Sequence, residues 1–501
     1  MRRAVVVPLL KYGLQENVIH MKKTKIVATV GPACESEKIL KALIREGVDV
    51  FRINTSHTSL KGLLDWIKRI RNISQSLAKE IPILIDLQGP RIRTGALKDK
   101  QPIVIKKGQT VSIVADLDAG GSNGRCDITT SCTELSCMVK KGDPVLLDNG
   151  LMDLRVVEVG NREVTCEVLT GGILGENKGI NLPNAPMTLP ALSEKDHAVL
   201  KVAADEAVDY VALSFVRTAQ DIEAVQDCLK TFRKKIPIIA KIEKPKAVEQ
   251  LDAIIAVADG IMIARGDLGI ELGVQKVPVI QKKLIERANQ SYLPVITATQ
   301  MLESMIEHPR PTRAEASDVA NAVFDGTDAV MLSAETSIGK YPVEAVRMMS
   351  EIILEAERHL QLQEVAPRKM VRRKDHPICA IAHAAQNAAA DIDAKAIVAF
   401  TQSGKTAISV SKFERTLPIL AFTPLPEVCR RLALFHGIIP MRLDYCQSTD
   451  EMLLRGEQEL LKTEFLKEGD AVVVVAGAHA LEKNYMVIIH WIGRKVYERS
   501  L

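Results

Sequence analysis

Residues 84–95 read LIDLQGPRIRTG. The apolar run IPILID (81–86) ends on a carboxylate, Asp86, and the chain then breaks at Gly89 and Pro90, with Gln88, Arg91 and Arg93 crowded around the turn. Before the break, one unit repeats: an apolar run followed by an amphipathic helical stretch. After it, apolar and polar residues alternate with a period of two between Gly, Asn and Asp turns. The first pattern returns only near residue 190, so the fold depends on treating the stretch between as an insertion.

The repeat begins at KIVATV (25–30) with the helical SEKILKALIREG (36–47), and VDVFRIN (48–54) follows with a helical stretch to about residue 79. IPILID opens the third unit. Past the insertion, SEKDHAVLKVAADEA (193–207) carries a capping signal and helical period. The strands VDYVALSF (208–215), IPIIAKIE (236–243), GIMIARGD (260–267), LPVITATQ (293–300) and DAVMLSAE (328–335) then bring the count to eight. Near-continuous apolar strands joined by helices suit a parallel sheet covered on the outside, and eight is the number that closes a (β/α)8 barrel. An open doubly wound sheet is the alternative. The barrel is favoured because Asn54, Asp86, Ser214, Lys241, Glu243, Arg265, Asp267, Thr299, Ser333 and Glu335 fall at strand C-terminal ends, the face on which such barrels build sites.

The α/β architecture expected is therefore a barrel from 21–89 and 189–360, a small inserted β-barrel lid over 90–188, and a C-terminal α/β domain over 361–501. VAPRKMVRRKDHP (365–377) reads as a solvated basic linker into that last domain. Residues 1–20, MRRAVVVPLLKYGLQENVIH, open like a signal peptide, but Pro8 and Lys11 interrupt the apolar run and no small-residue cleavage site follows. They are expected to be an extension, or residues upstream of a start at Met21.

The 501 residues are 47% hydrophobic, enough for a large core split among several domains. Sixty-six basic against 62 acidic residues leave a net charge of +4, which gives no reason to expect nucleic acid or a membrane as partner. Nine cysteines without a CxxC pair argue against a disulfide framework or a zinc site and suit a reducing cytoplasm.

Glu243 and Asp267, from neighbouring strands, can hold a hard divalent cation, with Mg²⁺ expected. The alternative is that they are paired with Lys241 and Arg265. Lys241, Arg265 and Arg52 make a cationic cluster suited to a transferring phosphoryl group, and buried unpaired cations would be costly without an anion. ARGDLGIE adds a Gly-containing turn into a short helix, whose amides can hold a carboxylate or phosphate. Thr299 places a hydroxyl where it can pass a proton to a reacting carbon, or simply cap its strand.

KIVATVGPA, FRINTSH, KGINLP, KIEKP, IMIARGDLGIE and ITATQMLESMIEHPRPTRAEASDVANAVFDGTDAVMLSAET resemble pyruvate kinases along nearly the whole chain after Met21. The resemblance implies a barrel, an inserted lid and a C-terminal α/β domain, in a homotetramer that converts phosphoenolpyruvate and ADP to pyruvate and ATP. It implies that Arg52 contacts the transferred phosphate and that Lys241 stabilises it in transit. Glu243 and Asp267 would bind Mg²⁺ or Mn²⁺, and Arg265 and Ser333 would line the substrate site. The Gly266 and Asp267 amides would take the substrate carboxylate, and Thr299 would assist enolate protonation. Asn54, His57, Arg93 and Lys178 would lie on the nucleotide side. TQSGKTA (401–407) resembles an effector loop, with Thr401, Ser403, Gly404, Lys405 and Thr406 around a phosphorylated ligand. AGAHALEKNYMVIIHWIG (476–493) departs from the Gly- and Thr-Asn-rich stretch of many members, which leaves the effector's identity open.

Many members read TKGPE where this chain has LQGPR, and the acid there accompanies a K⁺ requirement at positions like Asn54, Ser56 and Asp86. Members with Leu, Gln and a lysine in the acid's place work without K⁺. Arg91 is thus expected to supply internally the charge that K⁺ supplies elsewhere. Two rival readings remain: another Mg²⁺-dependent barrel enzyme acting on phosphoenolpyruvate or pyruvate enolates, and an inactive homologue that senses phosphorylated metabolites.

Overall fold

The computed structural model describes residues 22–97, 101–115, 127–130, 132–183, 189–362, 377–413, 416–463, 465–477 and 485–493. The expected N-terminal extension, and all but the last residue of the expected basic linker, lie outside them. Eight parallel strands close a barrel: β1 (Lys25–Thr29), β2 (Val50–Asn54), β3 (Ile83–Asp86), β4 (Tyr210–Leu213), β5 (Ile238–Ile242), β6 (Gly260–Ala264), β7 (Val295–Ala298) and β8 (Ala329–Leu332). Each pairs with its sequence neighbours, and β8 pairs with β1. The strand closure excludes the open doubly wound sheet.

The two-residue period of each strand divides its side chains between two cores. Ile26, Ala28, Phe51, Ile53, Ile83, Ile85 and Val211 pack outward under the helices. Val27, Val50, Leu84, Tyr210, Ile239, Met262, Ile296 and Met331 fill the barrel interior. Counting two further along the inward set reaches Thr29, Arg52, Asp86, Lys241 and, just past β4, Ser214. Polar chemistry thus forms the top interior layer of an otherwise apolar barrel.

The helix entries use local caps. In α1 (Glu37–Glu46), Ser36 accepts from the Ile39 amide, and in α2 (Leu60–Ser76), Ser59 accepts from Gly62. In α3 (Glu194–Asp205), Ser193 and Asp196 form a reciprocal capping box. The buried Asp196 also accepts from the Gln88 amide at 3.0 Å, tying this helix to the exit from β3.

That exit is the sharp turn in LIDLQGPRIRTG. Gly89 has φ +66°, and a Cβ there would lie 2.8 Å from the Ser214 carbonyl oxygen, so only glycine fits between β3 and the chain leaving β4. Beyond it, where a small barrel is expected, the described residues form a six-stranded sheet and a two-stranded one. The larger sheet runs Ile180–Asn181, Pro144–Leu147, Met152–Val159, Glu163–Thr170, Thr110–Val114, Asp127–Thr129. The alternating pattern packs one face into a core of its own around Val145, Leu154, Val164 and Ile113.

The C-terminal unit is a five-stranded sheet of β9 (Ala396–Phe400), β10 (Ile419–Thr423), β11 (Ile438–Arg442), β12 (Ala471–Ala476) and β13 (Met486–Trp491). Its order is β11-β10-β9-β12-β13, parallel except for β13. It seats on the N-terminal end of the barrel. Tyr210 Oη donates to the Arg431 carbonyl at 2.7 Å, Lys25 Nζ donates to the Ile438 carbonyl at 2.8 Å, and Arg430 pairs with Asp209 at 2.6 Å. Among the described residues, no helix is long and apolar enough to cross a membrane.

Candidate active site

Asp86, the acid that ends β3, is buried at the centre of the top layer. Arg52 reaches it from β2, with Nε at 2.7 Å and Nη2 at 2.6 Å from Oδ2, while Arg52 Nη1 donates to Thr29 Oγ1 on β1 at 2.9 Å. From the other side Ser214 Oγ donates to the Leu87 carbonyl at 2.8 Å and lies 3.2 Å from Asp86 Oδ1. Lys241, on β5, places Nζ 2.7 Å from Ser214 Oγ, 3.0 Å from Glu243 Oε1 and 3.3 Å from Asp86 Oδ1. Five neighbouring strands therefore contribute to one buried polar network.

Its charges determine its ionisation. Burial alone would raise the Asp86 carboxyl, but Lys241 and Arg52 outweigh it and hold the group below the usual carboxylate range. Burial would likewise lower the Lys241 ammonium, and Asp86 and Glu243 more than offset this, keeping it above its ordinary value. Glu243 is different. Burial and the negative charge of Asp267 push it up, against Lys241 and the Phe215 amide, which donates to Glu243 Oε2 at 2.6 Å.

Glu243 and Asp267 are thus two carboxylates within electrostatic reach of each other, undercompensated by the side chains around them. Hard oxygen donors that repel one another at a barrel mouth fit a divalent cation, which would relieve the repulsion.

Asp267 lies in the first turn of α4 (Arg265–Leu272), which begins directly at the end of β6 with no intervening loop. The Gly266 amide donates to Thr299 Oγ1 at 2.8 Å, and that hydroxyl donates to the Ala298 carbonyl at 2.6 Å. Thr299 and Gln300 both adopt left-handed backbone, φ +68° and +53°, at the end of β7. Such non-glycine strain persists only where neighbours impose it.

Arg265 imposes it. Its Nη2 donates to the Thr299 carbonyl at 2.8 Å and the Gln300 carbonyl at 3.1 Å, and Nη1 pairs with Asp318 at 2.6 Å. The guanidinium thus holds the turn, while Lys241 and Arg52 are held by the central network around Asp86. Ser333, at the end of β8, donates its amide to Glu335 Oε2 at 2.6 Å, and the buried Glu335 also accepts from the Leu302 amide.

On the outer side of the mouth, Asn54 Oδ1 accepts from the Ser56 amide at 3.1 Å in the turn that exposes His57. Burial, then Arg93, Arg91, Lys195 and Arg52, depress the His57 imidazolium, so four cations converge on this turn. Lys195 Nζ lies 2.5 Å from the Thr55 carbonyl. Arg93 Nη1 donates to the Asn177 carbonyl at 2.9 Å. Lys178 Nζ pairs with Asp148 at 3.1 Å, inside the inserted domain. Arg91 Nη2 donates to Asn149 Oδ1 at 3.1 Å, and its charge acts on His57 and Arg93.

Several residues here escape sequence reasoning. Lys195 is hidden in a helix-capping motif, Glu271 and Lys244 pass as ordinary charges in ARGDLGIE and KIEKP, and Asp318 lies well along the chain from its partner. The Asp148–Asn149–Gly150 turn, with three positive φ values, was readable as the DNG in DPVLLDNGLM but only as a turn. Far from the mouth, Thr401 Oγ1 accepts from the Gly404 amide at 3.0 Å, and Gly404 (φ +86°) leads into α5 (Lys405–Phe413). Lys405 and Thr406 occupy that helix's first turn beside Ser403, and a Cβ on Gly477 would lie 2.4 Å from Thr406 Oγ1.

Comparison with known proteins agrees with this geometry. Residues 21–346 match the family model for the pyruvate kinase barrel domain, and residues 379–489 match that for the pyruvate kinase alpha/beta domain. Over 474 residues, 94% of this chain and 99% of the relative, the chain is 43% identical to a pyruvate kinase of Mycobacterium tuberculosis. It is 41% identical to one of Clostridium acetobutylicum over 458 residues, 91% and 96% of the two chains. A solved pyruvate kinase structure from Cryptosporidium parvum superposes with a TM-score of 0.86 at 34% identity, covering 94% of this chain and 96% of that one. With the barrel, the inserted sheet domain, the C-terminal sheet and near-full-length relatives all in agreement, the chain belongs to the pyruvate kinase family of phosphotransferases.

Proposed function

We propose that this site transfers the phosphoryl group of phosphoenolpyruvate to ADP, with Lys241 as its central catalytic residue. The observation that carries the reading is the position of Lys241 Nζ, a cationic donor held by Ser214, Glu243 and Asp86 at the barrel mouth. In the reaction the enol C–O–P link breaks at its P–O bond while a bond forms from phosphorus to the terminal phosphate oxygen of ADP. The enolate left behind takes a proton at its methylene carbon to give pyruvate. Lys241 and Arg52 stabilise charge on the phosphoryl oxygens during transfer, a task of positioning and electrostatics.

Glu243 and Asp267 would hold Mg²⁺ or Mn²⁺, which when bound supplies further neutralisation of phosphoryl charge. The Thr299 hydroxyl, just past β7 and bonded to the Gly266 amide, would relay the proton, and the first-turn amides of α4 would receive the substrate carboxylate, Gly266 exchanging its Thr299 bond for it. Asn54, His57, Arg93 and Lys178 form the nucleotide side, supported by the four cations around His57.

A coupled assay of pyruvate formation with ADP and Mg²⁺ tests the assignment. Lys241→Met should lose at least about 10²–10³ in kcat. No ADP-dependent pyruvate from the wild type would sink it.

The reading extends to ions, assembly and control. Arg91 supplies the cationic field that K⁺ supplies in other members, supported by an Asp86 already paired with Arg52 and Lys241 and by Lys195 beside the Thr55 carbonyl. A rise of tenfold or more on adding KCl at fixed ionic strength, about 1.4 kcal/mol of activation, would show this to be wrong. Exposed Ile489 and Trp491 on the edge strand β13 support assembly into a homotetramer. The turn at Thr401–Gly404 entering α5 supports a phosphorylated effector there. The enzyme would work in the cytoplasm, with phosphoenolpyruvate, ADP, ATP and pyruvate as its ligands.

A further inference from the structure

We propose that Glu271 is a positioning residue, coupling the inserted domain to the carboxylate pair Glu243 and Asp267; the proposal rests on reading that pair as a metal site. Glu271 lies in the last turn of α4, the helix whose first turn carries Gly266 and Asp267. Its side chain is fully buried. Oε1 accepts from Lys244 Nζ at 2.5 Å and from Asn181 Nδ2 at 3.0 Å, and Oε2 has no hydrogen-bond partner.

These two partners come from different domains. Asn181 stands on the short strand Ile180–Asn181, which pairs with Pro144–Leu147 at the edge of the inserted sheet. The same strand pair leads into the Asp148–Gly150 turn, where Asp148 holds Lys178, Asn149 holds Arg91, and a side chain at Gly150 would meet Ile270 of α4 at 3.4 Å. The last turn of α4 is therefore the seat of the inserted domain.

Lys244 leads the other way, into the site. It directly follows Glu243, and its ammonium lies 5.9 Å from the centroid of the Phe215 ring. Phe215 has φ +57°, the left-handed backbone that turns its N–H onto Glu243 Oε2. One carboxylate thus sets the lysine that backs Phe215, the helix that presents Asp267, and the inserted strand that follows close on Lys178. A buried acid with one oxygen unsatisfied is a poor stabilising device on its own, which a coupling role explains.

Groups that orient metal ligands from behind cost about 10–100-fold in metal affinity when removed. Glu271→Gln keeps the shape and an acceptor for Asn181 while leaving Lys244 uncompensated. In substrate-free protein it should weaken Mn²⁺ binding, followed by electron paramagnetic resonance, by about tenfold or more, and lower kcat with little change in KM for phosphoenolpyruvate. Asn181→Ala, a milder change should Glu271→Gln fold poorly, should speed hydrogen exchange across residues 144–183 and lower kcat. Adding it to Glu271→Gln should deepen the loss, because Glu271→Gln spares the Asn181 bond and Asn181→Ala removes it. Wild-type Mn²⁺ affinity and kcat in both variants, with only a lower melting temperature, would overturn the role of Glu271. Failure of the wild type itself to bind Mn²⁺ would overturn the metal-site reading instead.

Discussion

Glu243 shows how a single residue can report the site's chemistry. Its carboxyl is raised by burial and by Asp267, so without metal its protonated form favours the folded state. That contribution is full below the ordinary glutamate range and is lost as pH rises through the raised value, because the ionised form is then the buried one. A divalent cation reverses the preference by favouring the carboxylate. The rise in melting temperature on adding Mg²⁺ should therefore grow as pH climbs above the ordinary glutamate range, and Glu243→Gln should flatten it; thermal melts with and without metal across a pH series check this. His57 has the opposite sign. Depressed by burial and four cations, it disfavours protonation in the folded protein, so the stability it contributes is lost as pH falls below the ordinary histidine range.

At the scale of elements, α4 and the end of β7 act as one unit. The left-handed pair Thr299–Gln300 costs on the order of 1–3 kcal/mol per residue, and Arg265 offsets this by binding both carbonyls while anchored on Asp318. The strain places Thr299 Oγ1 against the Gly266 amide. Arg265→Met should release the turn and move the hydroxyl by an ångström or so, a misplacement worth about 10² in kcat/KM, with the circular-dichroism spectrum retained. An unchanged kcat/KM would mean that the turn keeps its shape without the guanidinium.

Across the whole molecule, the barrel floor and the C-terminal domain are joined by a buried charge. Lys412, in the last turn of α5, has a fully buried ammonium bonded to Asp328 Oδ2 at 2.6 Å and Asn289 Oδ1 at 2.9 Å. Asp328 also accepts from the amides of Val295 and His436, so one carboxylate gathers the start of β7, the approach to β8 and the C-terminal domain. The same short helix begins at the Thr401–Gly404 turn, which connects the proposed effector loop to the base of the barrel. Removing one partner of a buried pair strands the other charge, so Lys412→Met should destabilise the protein by about 3–5 kcal/mol, seen as a lower urea midpoint. A midpoint unchanged from wild type would show that Asp328 finds compensation elsewhere.

What the sequence by itself determined is whatever depends on near neighbours along the chain. Eight apolar runs with helical intervals specified the barrel, the switch to a two-residue period after Gly89 specified a β insertion, and the acids, amides and cations at strand ends marked the mouth. These signals are local because a buried strand must be apolar along its length and a turn must contain residues that can make it. Partner choice is not local. That Arg265 turns back onto Thr299 and Asp318, that Arg91 bonds Asn149, and that Asn181, Glu271 and Lys244 meet across a domain boundary are pairings between residues from 27 to 90 positions apart. Only closure of the barrel, with the inserted domain seated on α4, brings those groups within hydrogen-bonding distance, and which charges remain to face a ligand follows from which have already been satisfied.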